Sequence, residues 1–481
     1  MTPEEYASYD ALGLKMLIDK RDISAQELHD IALKAIHACN PELNFMVAFS
    51  PDDAKKSLDN FDTKAPFSGV PILVKDAVGM KGQPMSMACR LFEGMLSEDD
   101  VECVRRLKKT GVVILGSTIT PEWGSSLTTE SIMHGACRNP WNIAHSTGGS
   151  SGGAAAAVAA GVVPWAQGGD GGGSIRAPAH CCGVFGLTPS RGRIPSPGYG
   201  GSILGIGRKH VLTRSVRDSA AMLDQLQGSQ PGDLYQLSSP AHSFLSELDA
   251  SPKPLKIAFS TASPSAYPVD PDCVLAVEQT AKLCESLGHQ VEEVGVHYDW
   301  ERYMEALYDY WAFVYFGGGI GLKEQASGRT VSEETLEPAT LKMWDHYQQL
   351  TVDRIAISQK ALMEIGGIVG EFYDKWDVLL SPCCLSPAPP LGTLWSSEAT
   401  RADAMTVDGQ MRQFGPYTAV SNTSGQPSVS IPMYQSKDGL PVGVLCTSQV
   451  GDEAALIRLA GQLEAANPWA SRHPKHGIYS G

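Results

Sequence analysis

Two amphipathic helices are expected to open the chain. The second begins on Ser24-Ala-Gln-Glu27. This is a capping box, in which the Ser and Glu side chains satisfy each other's backbone N–H groups. That helix is expected to stop before Pro41, which cannot donate within a helix. The apolar run Gly69–Lys75 then reads as a strand that ends on the charged pair Lys75-Asp76. A polar helix near Glu98–Lys109 precedes a strand at Val112–Leu115. A small-residue helix, Ser151–Ala160, leads to an apolar pair at Val162-Val163. A strand at Leu255–Phe259, a helix at Cys273–Leu287 and a strand at Gln290–Val294 repeat the alternation. Residues 300–375 read as mostly helical. Strands at Asp377–Leu380, Val429–Ile431 and Val442–Cys446 follow, and a helix at Glu453–Ala465 closes the pattern. Alternating strands and helices predict an α/β fold with a mostly parallel or mixed sheet. Residues 190–210, rich in Gly, Pro and Ser, read as an ordered surface loop. No repeat or linker breaks the 481 residues, so one continuous domain is expected.

Composition changes the picture in three ways. The 38 Lys and Arg stand against 53 Asp and Glu, a formal charge of −15. Such a chain lacks the basic field that captures phosphates, so no nucleic acid and no anionic membrane is expected as partner. The longest bland stretch, Ala154–Val163, is too short to span a bilayer. The opening MTPEEYASYD has no apolar signal core, and a cytoplasmic location is expected. The 11 Cys are odd in number, scattered, and include the adjacent pairs Cys181-Cys182 and Cys383-Cys384. They are expected to be reduced, buried thiols. No metal and no cofactor is expected.

The 49 Gly are clustered. Gly148-Gly-Ser150-Ser151-Gly-Gly153 and Gly168-Gly-Asp170-Gly-Gly-Gly173-Ser174-Ile-Arg176 each precede a small-residue or helical stretch. Glycine-rich backbone at a helix start leaves N–H groups aimed at one point, a nest for a phosphate or a developing oxyanion. A phosphate loop would need a Lys after the glycines, and neither cluster has one. Gly148–Gly152 also fits G-x-S-x-G, but a polar loop precedes it where a nucleophile elbow needs a buried strand. His134, His145 and His180 read as structural or surface histidines. Lys75 is an unusual end to an apolar strand; as a bland feature it would simply pair with Asp76. The aromatic stretch Tyr308–Phe316 is a candidate pocket wall, with core packing as the rival reading.

Lys75 and the two clusters together resemble the amidase signature family. So do Gly69-Val-Pro-Ile-Leu-Val-Lys, Gly116-Ser-Thr-Ile-Thr-Pro-Glu, Arg138-Asn-Pro-Trp, Gly186-Leu-Thr-Pro-Ser-Arg-Gly, Asn422-Thr-Ser-Gly-Gln-Pro and Gly439-Leu-Pro-Val-Gly. The likeness covers most of the chain outside roughly 230–370. Its signature core lies at about 70–195, and a substrate-side helical region at about 300–375. The resemblance implies a central mixed β-sheet covered by helices on both faces and a Ser–cis-Ser–Lys triad. Ser174 is then the nucleophile, Ser150, after a cis peptide, the bridge, and Lys75 the base. The backbone of Gly171, Gly172, Gly173 and Ser174 would form the oxyanion hole, with Ser151, Asp170 and Arg176 holding the loops. The implied activity is hydrolysis of small linear or cyclic amides through an acyl-enzyme, extending to aryl amides, esters or carbamates. The implied partner is a small amide, and a homodimer is left open.

Physical chemistry fits those roles. A Ser hydroxyl needs a base, and only a neutral Lys can be one. An exposed Lys is neutral about once in 2500 at pH 7, a penalty of about 4.6 kcal/mol. Burial at a strand end lowers that penalty. A hydroxyl at position 150 can both donate and accept a proton. Two rivals share some of these features. The A subunit of a tRNA-dependent amidotransferase uses the same triad to release ammonia from an amide donor. A silent anion-binding protein would use the glycine nests but has no need of Lys75.

Overall fold

The computed structural model describes residues 1–195, 204–250 and 253–479; side chains at 315–318, 322, 323, 325, 326 and 404 lie outside that description. Eleven strands form one mixed sheet. Their spatial order is Met46–Phe49, Val113–Thr118, Pro71–Lys75, Trp165–Asp170, Arg208–Thr213, Phe185–Thr188, Ser428–Gln435, Pro441–Ser448, Val378–Pro382, Lys256–Phe259 and Gln290–Glu293. Pro71–Lys75 is parallel to both neighbours. Lys256–Phe259 is also parallel to both of its neighbours. The strands between these two groups pair antiparallel.

Alternating side chains send each strand's apolar residues to two different cores. Val429, Ile431, Val442, Val444 and Cys446 face a core closed by the helices Val216–Leu226, Pro271–Ser286 and Glu453–Ala466. On the other side, the larger core takes in the N-terminal helices, the Gly152–Ala159 helix and helices from the 300–372 region. The helix Gly152–Ala159, GGAAAAVA, is buried at every residue. A helix apolar all round belongs in the interior, and its small side chains let it lie on the strands Pro71–Lys75 and Trp165–Asp170.

The structure departs from the sequence expectations at five places. Three helices open the chain, Pro3–Ser8, Ala11–Lys20 and Ala25–Leu43. The capping box at Ser24 forms, but the helix runs through Pro41 to Leu43. Pro41 falls in the last turn, and Asn40 Oδ1 accepts from Phe45 N and Met46 N at 2.9 Å each, catching the departing backbone. The polar helix is shorter, Glu102–Lys109. Val162-Val163 is a turn, and the strand is Trp165–Asp170. Gly168 to Asp170 are therefore strand rather than loop. Finally, the expected surface loop 190–210 is largely buried where it is described. Ser190, Arg193, Leu204 and Ile206 are buried, and a strand begins at Arg208. Residues 196–203 of that loop lie outside the described residues.

All eleven cysteines are free and buried. Among the described residues, no helix is long and apolar enough to cross a membrane.

Candidate active site

Parallel pairing of Pro71–Lys75 with Trp165–Asp170 brings both carboxyl ends to one edge of the sheet, the place where open α/β sheets hold ligands. Lys75 is the last residue of its strand and is 3% exposed. Its Nζ donates to Ser150 Oγ at 2.6 Å and to Gly169 O at 3.4 Å. Its backbone N–H donates to Gln167 Oε1 at 3.2 Å. Burial pulls the Lys75 pKa down to about 7, against an upward pull from Asp170. Asp76 does not pair with Lys75. Its carboxylate accepts from Ser86 N at 3.1 Å and Ser86 Oγ at 2.7 Å, and burial raises its pKa to about 6.

Ser150 follows a cis Gly149–Ser150 peptide and lies two residues before the Gly152–Ala159 helix. Its carbonyl accepts from Thr120 Oγ1 at 3.0 Å. Ser151 stitches the two clusters together. Its Oγ donates to Gly169 O at 3.1 Å and accepts from Gly169 N at 3.2 Å. Its N–H donates to Ser174 O at 3.1 Å. Ser174, 9% exposed, lies just ahead of the helix Arg176–Cys182.

Asp170 is the hub of the second cluster. Its carboxylate accepts from Gly173 N at 2.7 Å, Ile175 N at 2.9 Å and Thr188 Oγ1 at 2.9 Å. Arg176 donates to it from Nε at 3.0 Å and from Nη2 at 2.7 Å. Burial opposes the charge, but the Arg176 guanidinium and these donors hold the carboxyl well below the usual carboxylate range. Arg176 Nη1 donates onward to Thr418 O, Ser421 Oγ and Ser428 Oγ at 2.6–2.9 Å. Asn422 Nδ2 donates to Asp170 Oδ1 at 3.0 Å. A loop that must hold one shape thus carries a buried ion pair with every polar neighbour engaged.

Of the four amides expected to point at one anion, Gly173 N is already committed to Asp170. The amides of Gly171, Gly172 and Ser174 have no acceptor among the described residues. The glycines also have a reason that the sequence did not supply. At Gly173, φ is +135°, and an added methyl would lie 2.3 Å from Thr418 Oγ1. Protein neighbours, not only a substrate, exclude a side chain there.

Of the aromatic stretch, Tyr308 is packed against the His346 ring and Tyr310 is buried. Tyr310 Oη accepts from Leu204 N at 2.9 Å. Trp311 is buried too, but it lies against Gly172. Phe313 is exposed, and the side chains of Tyr315 and Phe316 lie outside the described residues. Core packing is therefore the better reading at Tyr308 and Tyr310, and among the described side chains of the stretch Trp311 reaches the glycine nest. His180 sits between Ser386 O at 2.9 Å and the Gly443 backbone, and His134 meets Ser86 Oγ at 3.2 Å. Both are structural. The strand before Gly148 belongs to a two-stranded ribbon, Arg138–Asn139 with Asn142–Ser146, outside the main sheet. The G-x-S-x-G match is thus not an elbow. Sequence reasoning gave no role to Thr418 or Met411, which flank Gly173 and Gly172, or to Trp123, whose ring lies against Gly319, and quoted Asn422 only within a motif.

The amidase family pattern matches residues 27–457. The 6-aminohexanoate-cyclic-dimer hydrolase of Paenarthrobacter ureafaciens is 33% identical over 97% of this chain and 96% of its own. A solved structure of 6-aminohexanoate cyclic dimer hydrolase with substrate superposes with a TM-score of 0.90 at 31% identity, covering 98% of this chain and 100% of that one. A bacterial aryl acylamidase of the amidase signature family superposes at 0.87 with 26% identity, covering 96% and 97%. With its mixed sheet, its two Gly/Ser clusters and likeness along nearly its whole length, the chain belongs to the amidase family, the amidase signature enzymes, and is an amide-cleaving hydrolase.

Proposed function

We propose that the protein hydrolyses small linear or cyclic amides, aryl amides included, through an acyl-enzyme on Ser174. The observation that carries this reading is the buried Lys75 Nζ, 2.6 Å from Ser150 Oγ, beside the loop that carries Ser174. Neutral Lys75 takes the Ser150 proton while Ser150 takes that of Ser174. The Ser174 oxygen then bonds to the amide carbonyl carbon. The negative charge that develops on the carbonyl oxygen is met by the open amides of Gly171, Gly172 and Ser174. As the tetrahedral intermediate collapses, the C–N bond breaks, and the proton on Lys75 returns through Ser150 to the leaving amine. Water then attacks the ester, its proton following the same route, and releases the acid and free Ser174. Asp170 and Arg176 keep the nest in shape and touch no reacting atom.

The chemistry of the relatives supports the substrate class, since one is named for a cyclic amide dimer and another for aryl acyl amides. A hydrolysis screen of alkyl amides, anilides, cyclic amides, carbamates and esters tests the reading. Turnover of amides that disappears in Ser174→Ala supports it. Hydrolysis limited to esters, or amide turnover that survives in Ser174→Ala, rejects it.

A further inference from the structure

Five non-glycine residues among the described ones have positive φ: Arg21, Asn44, Met87, Ala88 and Trp123. Arg21 and Asn44 end helices, where a left-handed residue is ordinary. The other three are tied together at the active site. Trp123, at φ 58°, donates its N–H to Met87 O at 2.8 Å, and Met87 and Ala88 have φ 49° and 51°. A bulky aromatic residue is an outlier in this region of backbone space, and such strain persists where the surroundings over-determine it. The surroundings here do. Thr120 Oγ1 donates to the Ser150 carbonyl, and the buried Glu122 carboxylate accepts from Glu337 N at 2.7 Å. The Asp76 carboxylate, next in sequence to Lys75, is held by the amides of Ser86, Met87 and Ala88. Trp123 is thus fixed by the same strand end that carries Lys75.

Trp123 packs against the larger core without being closed off by it. Pro121, Glu122 and Ser126 are buried, whereas Trp123, Gly124 and Ser125 between them are half-buried. A methyl added to Gly124 would lie 3.5 Å from Ser150 Oγ, so this turn stands over the bridging serine. The Trp123 ring meets Phe92 at 4.9 Å between centroids. A methyl at Gly319 would come within 2.5 Å of the Trp123 ring. A methyl at Gly172, in the nest, would come within 2.8 Å of the Trp311 ring. The two indoles therefore border the two ends of one segment, which passes through the π-helix Ala312–Gly317. Residues 123–129 and 311–322 contain no charged side chain.

We propose that Trp123 is a specificity-determining wall that receives a flat, uncharged, apolar group of the amide substrate, an aryl or cyclic moiety, across from the Trp311 side of the nest. The inference rests on the amidase reading above. An indole face favours a flat apolar surface, and an uncharged wall leaves an ionised substrate group without a partner.

The test compares kcat/KM for p-nitroacetanilide, N-butylacetamide and the cationic 6-aminohexanamide in the wild type, Trp123→Ala, Trp123→Phe and Gly319→Ala. The wild type should prefer the anilide and turn over the cationic amide slowest. Trp123→Ala should reduce the anilide-to-butylacetamide ratio by about tenfold or more, chiefly through KM, the scale of an apolar pocket contact. Trp123→Phe should keep most of the preference. Gly319→Ala, which crowds the ring without touching Ser174 or Lys75, should also shift the ratio. A ratio that stays within about twofold of wild type in both Trp123→Ala and Gly319→Ala overturns the proposal. If Trp123→Ala does not fold, Gly319→Ala decides. Ser174→Ala separates this inference from the reading beneath it. If Ser174→Ala is inactive while the ratios do not move, only the wall is wrong. If Ser174→Ala retains amide turnover, the amidase mechanism itself falls.

Discussion

Lys75 and Ser174 carry the sharpest expectations. Ser174→Ala should abolish turnover and leave the fold intact, because Ala suits a position just ahead of a helix. A fluorophosphonate should label Ser174 in the wild type, and mass spectrometry locating the label on Ser150 would reverse the two roles. For Lys75, burial brings the pKa to about 7, and only the neutral form accepts a proton. Near pH 7 the penalty of about 4.6 kcal/mol for an exposed lysine has nearly vanished. Activity should therefore rise with pH through a single ionisation near 7 and fall in acid, as kcat/KM against pH will record. Lys75→Ala should cost several orders of magnitude in kcat. Lys75→Arg should cost about as much, since a guanidinium stays protonated at every working pH. Wild-type rates in the Arg variant would reduce Lys75 to an electrostatic anchor. Asp76 does not enter this titration, because it turns to Ser86 on the other face of the strand.

The two glycine-rich segments show what a single sequence reveals about an element and what it hides. Their Gly/Ser clustering, with the apolar run into Lys75, was legible, and so was their placement ahead of helices. The exact strand was not. Val162-Val163 looked like the β element because both are β-branched, yet the paired residues are Trp165–Asp170, where the flanking strands and not local propensity decide. The partners of Asp170 and Arg176 lie some 250 residues downstream, at Thr418, Ser421, Asn422 and Ser428. No local pattern reports such contacts. Trp123 escaped notice for a related reason, since its left-handed φ is imposed by Met87 and Glu122 through tertiary contacts. The buried pair yields a stability prediction. Asp170 and Arg176 are both fully buried, and removing one partner leaves an uncompensated charge, which costs about 3–5 kcal/mol. Arg176→Met should lose about that much in urea unfolding, and a loss under about 1 kcal/mol would contradict the hub role. Gly173→Ala should be harmful in a different way. Positive φ and Thr418 Oγ1 at 2.3 Å from the new methyl should displace the nest and lower kcat more than stability. Equal losses in both would mean that Gly173 serves folding alone.

Across the whole molecule, ten buried cysteines are expected to set the alkaline limit. Burial raises ten of their thiols above the ordinary value of 9.0: Cys39, Cys89, Cys103, Cys137, Cys181, Cys182, Cys273, Cys284, Cys384 and Cys446. A group whose folded pKa lies above its unfolded value supports the fold fully below the unfolded value. That support is lost as pH rises through the folded one. Above about pH 9 the unfolded chain therefore sheds protons that the folded chain keeps, and stability falls. Lys75 and Lys209 work the other way, since burial lowers both and their contribution grows as pH climbs toward the ordinary lysine value of 10.5. Ten thiols outweigh two lysines. Each unmatched proton is worth about 1.4 kcal/mol per pH unit, so a few thiols that stay protonated in the fold already make a steep slope against a typical stability of about 5–15 kcal/mol. Activity that rises through pH 7 on the Lys75 titration should consequently meet a steep unfolding limit between about pH 9 and 10.5. Urea midpoints measured from pH 7 to 10 should fall with increasing slope. Ellman's reagent should find almost no reactive thiol at pH 8, and all eleven only when the far-UV signal is lost. Replacing Cys103, which is fully buried in the larger core beside Val104 and Leu107, by Ala should make the alkaline slope shallower by about one proton, about 1.4 kcal/mol per pH unit. A flat stability profile to pH 10, or thiols that react in the folded protein, would show that the cores admit water and that burial does not govern these groups.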